Sequence, residues 1–144
     1  MCLNVYASSS RPLTVIPWSD ESPAFYVRKV GRVEAESIRH VLRGNHVVYL
    51  GSHEGCGCGF THQWLTSGGH APVEPREASK SNQAAASTAG LVAYLKREAA
   101  DGPVDVYACW HGDEGVDPAA HLVIDRDDLS PSFVLKEGER VTIR

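Results

Sequence analysis

Residues 77–100 constrain the fold more than any other part of this 144-residue chain. Ala84, Thr88, Leu91, Val92, Leu95 and Ala99 recur at i, i+3/i+4 spacing, the apolar stripe of one long amphipathic helix. Gln83, Ser87, Lys96 and Arg97 fall largely off that stripe. Pro75 and Glu77 suit its start, and Gly102-Pro103 its end. A helix with a single apolar stripe needs a surface to cover. Two segments rich in β-branched and aromatic residues flank it: 46–50 (His-Val-Val-Tyr-Leu) and 104–110 (Val-Asp-Val-Tyr-Ala-Cys-Trp). A strand–helix–strand crossover makes those strands parallel and allows them to be adjacent.

The remaining segments extend the sheet. Alternation predicts strands at 3–7, 25–30 and 121–124, and a short extended piece at 13–16. Residues 33–42 carry a helical stripe of Val33, Ser37, Ile38, Val41 and Leu42, closed by Gly44-Asn45. Segments 133–135 and 140–143 flank Lys136-Glu137-Gly138-Glu139 and read as a C-terminal β-hairpin. The expected fold is α+β: one domain over residues 1–144, a mixed β-sheet with helices packed on it. Along 104–110, Val104, Val106, Ala108 and Trp110 should share one face. Asp105, Tyr107, Cys109 and, just beyond, His111 should share the other.

Composition excludes several classes of function. The formal net charge is −4, so no basic surplus exists to neutralise phosphates, and nucleic acid is not an expected partner. Apolar runs such as 47–50 are only a few residues long, far short of a membrane span. Met1-Cys2-Leu3-Asn4 has neither a basic nor an apolar leader region, so a cytoplasmic location is the expectation. Four Cys are too few for a disulfide scaffold in a chain of this length. They are then buried spectators, metal ligands or reactive thiols.

The chemistry concentrates in residues 51–70, which hold six of the thirteen Gly, two of the four Cys and three of the seven His. At its centre is His53-Glu54-Gly55-Cys56-Gly57-Cys58-Gly59-Phe60. A Cys-x-Cys pair can aim two sulfurs at one point, and flanking Gly frees the backbone to do so. N–H groups turned towards sulfur stabilise a metal thiolate. If the crossover brings the end of 104–110 alongside, Cys109 and His111 join Cys56 and Cys58 as four candidate ligands. Three thiolates and an imidazole suit tetrahedral Zn. The tight Cys-x-Cys spacing also suits Cu(I), and Fe is compatible with the same donors. Cys2, His53 and His62 are spare ligands, Cys2 reaching the site only if its strand runs antiparallel.

Two rival readings use the same loop. In one, Cys56 and Cys58 serve thiol or redox chemistry, with His53 or His62 as a base and Asp113 or Glu114 orienting His111. In the other, the loop is a protein-docking surface carried by Phe60, Trp64 and Leu65. No nucleotide fingerprint is present: Gly55-x-Gly57-x-Gly59 opens no helix, and P-loop, Gly-x-Ser-x-Gly and His-Glu-x-x-His patterns are missing. The acidic stretch from Asp113 to Asp117 does not match a calcium loop.

Overall fold

A computed structural model describes residues 2–21, 24–60 and 75–144, with side chains described from residue 82 onward in the second helix. Its strands are β1 (Leu3–Ser9), β2 (Phe25–Lys29), β3 (His46–Ser52), β4 (Val104–Trp110), β5 (Ala120–Ile124) and β6 (Glu139–Ile143). Its described helices are α1 (Arg32–Ile38) and α2 (Pro75–Ala99). The strands form one mixed six-stranded sheet, ordered β2-β3-β1-β4-β6-β5. Among the described residues, no helix is long and apolar enough to cross a membrane.

β1 lies between β3 and β4 and runs antiparallel to both. The crossover strands are therefore parallel to each other, as their spacing predicts, but not adjacent. The N-terminal strand fills the gap, because its inward residues Leu3, Val5 and Ala7 continue the apolar surface of both neighbours. The C-terminal hairpin is also revised. β6 pairs antiparallel with β4 and parallel with β5, while 133–135 lies outside the named strands. Leu135 is buried in the core instead. The Gly138 N–H donates to Ala108 O at 2.8 Å, which delivers β6 to the free edge of β4.

Strand alternation gives the sheet two different faces. One carries Val5, Ala7, Val27, Leu50, Val106 and Val141, packed beneath Leu91, Val92, Leu95 and Ala99 of α2. Each large aliphatic side chain wholly buried here contributes about 1.5–3 kcal/mol of hydrophobic stabilisation. The other face is polar and aromatic: Asn4, Tyr6, Tyr49, Tyr107 and Cys109 lie there. Ile38, Val41 and Leu42 cover part of it. Of the stripe in 33–42, Ile38, Val41 and Leu42 are thus buried, the last two beyond the regular helix. Val33 faces outward at 79% exposure, and regular helix stops at Ile38. His62, Trp64 and Leu65, named above as a candidate ligand or base and as docking residues, lie outside the described residues.

Candidate functional site: a paired-thiol turn

The Gly-Cys-Gly-Cys-Gly segment begins where β3 ends. Ser52 closes a tight turn with both of its donors: its N–H and its hydroxyl each donate to Cys56 O. The Gly55 N–H returns a bond to Ser52 O at 3.0 Å. Gly55 has φ +81°, a left-handed conformation that favours glycine. The Tyr26 hydroxyl donates to Gly55 O and ties the turn to β2. Beyond Cys56, Gly57–Gly59 makes one 3-10 turn, and the Phe60 N–H caps it on Gly57 O at 3.1 Å.

Gly57 is needed for close approach. A Cβ there would stand 2.5 Å from Val5 Cγ2 and 2.8 Å from Leu3 O, so the turn lies flat on β1. That contact sets Cys58 beside the first residue of the strand. The Leu3 N–H donates to Cys58 Sγ at 3.1 Å. The Cys58 N–H and the Cys58 sulfur both act on the Cys56 thiol, the first favouring its thiolate and the second opposing it. Both Cys are half-buried and all four Cys are free thiols. Burial pushes the Cys56 thiol up to about 12, and the sulfurs of Cys58 and Cys2 add to the effect, against the opposing Cys58 N–H.

Because β1 is antiparallel to β3, Cys2 lies at the same end of the sheet as the Cys56–Cys58 turn. It is exposed, and its carbonyl accepts from the His111 N–H at 2.8 Å. Cys109 is elsewhere. It opposes Asn4 in the ladder and is buried with Tyr6, Tyr49 and Tyr107, whereas Cys58 packs against the core on the opposite face. Burial raises the Cys109 thiol to about 12, and the carboxylates of Glu114, Asp113 and Glu137 add to that. The His111 side chain is 77% exposed, with Nδ1 3.3 Å from Asn4 Nδ2 and 3.7 Å from Glu114 Oε1. The structure thus brings Cys56 and Cys58 together with Cys2 nearby. It does not bring Cys109 and His111 to them. Among the described residues, no three His, Cys, Asp or Glu side chains are placed to share a metal ion.

Other candidates have defined jobs. The Ser87 hydroxyl lies 2.7 Å from His53 Nδ1 and accepts the His53 N–H at 3.2 Å. Ser87 is wholly buried, so this pair fastens the end of β3 to α2. Phe60 is also wholly buried, with its ring 6.1 Å from that of Phe25, and offers nothing to a docking partner.

The polar face holds a network that composition does not reveal. Arg28 donates to both oxygens of Glu34 at 3.1 and 3.0 Å, and the Tyr6 hydroxyl donates to Glu34 Oε1 at 3.0 Å. The Arg28 guanidinium lies 4.1 Å from the Tyr49 ring centroid. The Tyr49 hydroxyl donates to Asn4 Oδ1 at 3.3 Å, and Asn4 Nδ2 donates to Glu114 Oε1 at 2.9 Å. Burial works to raise Glu34, but hydrogen bonds from Arg28 outweigh it and hold the carboxyl below the usual range. Burial, reinforced by Glu34, drives the Tyr6 hydroxyl far above its ordinary value. These shifts all move away from neutral pH, the behaviour of a structural network and not of an acid–base pair. The alternation of Asn4, Tyr6 and Ser8 along β1 was its one sequence signal. The chain matches no protein-family model, no curated protein and no solved structure.

Proposed function

We propose that this protein binds a soft metal ion through Cys56 and Cys58, and that Cu(I) is the ion the pair suits. The observation that carries this reading is the pairing of two half-buried free thiols, one residue apart, in a turn fastened to β1 by the Leu3 N–H···Sγ bond. Two thiolates suit Cu(I), a soft ion that needs few ligands. Zn, the ion favoured by counting Cys and His in the sequence, takes four ligands in a structural site. Cys56 and Cys58 supply two of them. Cys2 is the nearest candidate for a third sulfur. Thiol catalysis is the weaker reading, because a thiol pushed up to about 12 holds little thiolate near neutral pH.

The test is a competition titration of the fully reduced protein with Cu(I) against a chromogenic Cu(I) chelator, without oxygen. The expected result is one equivalent of Cu(I) withdrawn from the chelator. The Cys56→Ser/Cys58→Ser double variant should lose this, while Cys109→Ser keeps it. Retention of Cu(I) by the double variant, or no withdrawal by the parent protein, would overturn the assignment. Stoichiometric Zn binding without Cu(I) binding would overturn the choice of ion.

A further inference from the structure

A cavity of about 420 Å³ opens at the other end of the β2–β3 pair, remote from the thiol turn. The chain builds it from three elements. The end of β2 supplies Lys29, which stands opposite Val48 in the ladder. Segment 12–16 forms one wall, laid along β2 by reciprocal backbone bonds between Ile16 and Val27 at 3.0 and 2.8 Å. Helix α1 contributes Ala35, whose short side chain leaves the space open. Leu13, Val15, Val30, Val47 and Val48 make the lining largely apolar.

Lys29, Asn45 and His46 line the cavity, and among the described residues no Asp or Glu does. Among the described residues, neither the Lys29 ammonium nor the His46 ring has a hydrogen-bond or ion-pair partner. Apolar walls with a few polar groups among them, at this volume, are compatible with a small-molecule site. An unpaired ammonium selects an anion, and the apolar walls select a hydrocarbon body attached to it.

We infer that this cavity binds a small organic carboxylate: an apolar chain or ring held between segment 12–16 and α1, with its carboxylate on Lys29. This is independent of the metal reading.

The experiment follows backbone amide shifts of ¹⁵N-labelled protein during titration with octanoate, octylamine and octanol. Octanoate should saturate and perturb the amides of Val30, Val47 and Val48. Octylamine should not, and octanol should bind more weakly than octanoate. Lys29→Met removes only the charge at an exposed position and should weaken octanoate about tenfold, the loss of one charge-assisted hydrogen bond. Ala35→Phe fills the space and should abolish binding. Absence of saturable octanoate shifts would overturn the inference. So would shifts centred elsewhere, equal binding of octylamine, or an unchanged affinity in Lys29→Met.

Discussion

Gly57→Ala separates packing of the thiol turn from its intrinsic conformation. The added Cβ would meet Val5 Cγ2 at 2.5 Å and Leu3 O at 2.8 Å. Ordinary carbon contacts lie near 3.5–4.0 Å, so the overlap is about 1 Å. One obstacle is backbone in the central strand, which moves little, so the turn must lift. Overpacking of this kind costs about 1–3 kcal/mol. For a domain of this size that lowers Tm by about 2–12 °C. Lifting the turn also breaks the Leu3 N–H···Sγ bond to Cys58, so Cu(I) affinity should fall with stability. Gly55→Ala is the control. No atom lies within 4 Å of its Cβ position, but φ is +81°. It should cost about 1–2 kcal/mol through left-handed strain and leave Cu(I) affinity unchanged. Urea denaturation and Cu(I) competition on both variants give the readout. A Gly57→Ala protein within about 0.5 kcal/mol of the parent, with parental Cu(I) affinity, would refute the close-approach account.

Alkylation of the metal-free protein near pH 8, followed by peptide mass mapping, should label exposed Cys2 first. Cys56 and Cys109 should react slowly because burial pushes both thiols up to about 12. Leu91→Ala removes a wholly buried side chain from the α2 stripe and should cost about 2–5 kcal/mol in chemical denaturation, without altering thiol labelling in the folded state. Burial tends to raise Glu98, but hydrogen bonds from Thr14 and Arg11 prevail and hold its carboxyl below the usual range. A lowered folded value means its stabilisation is complete above the unfolded carboxylate pKa and disappears as pH falls through the folded one. Glu98→Gln should therefore be less stable than the parent near pH 7, and the gap should close as acidification passes below the usual carboxylate range.

The elements with strong periods were legible in the sequence. The alternation of 104–110 assigns Val106 and Ala108 to the apolar face and Tyr107 and Cys109 to the other, and the β1–β4 register agrees. The α2 stripe was equally direct, since Leu91 and Leu95 are wholly buried. Strand order was not legible. Nothing local in Leu3–Ser9 says that it lies between β3 and β4, because that choice is made by matching apolar faces across the sheet. The same long-range pairing decided the site. An antiparallel β1 carries Cys2 to the thiol turn, while alternation on β4 turns Cys109 to the face away from Cys58. Spacing along the chain identified the Cys56–Cys58 pair because only one residue separates them. It carried no information on which side of the sheet a distant Cys would face.

That separation bears on which thiol chemistry is open to the protein. Cys56 is half-buried, and burial and the neighbouring sulfurs of Cys58 and Cys2 favour its protonated form against the single Cys58 N–H. An activated nucleophile needs the opposite environment, a cation or helix N-terminus holding sulfur as thiolate. The nearby imidazole of His53 is engaged with Ser87 through Nδ1. A soft cation supplies the missing positive charge itself, displacing the proton from each sulfur it binds. The Leu3 N–H already directed at Cys58 Sγ would then become a charge-assisted bond to a thiolate. The features that oppose free thiolate at this turn are therefore compatible with a metal-bound one, and the balance between the two readings rests on charge more than on geometry.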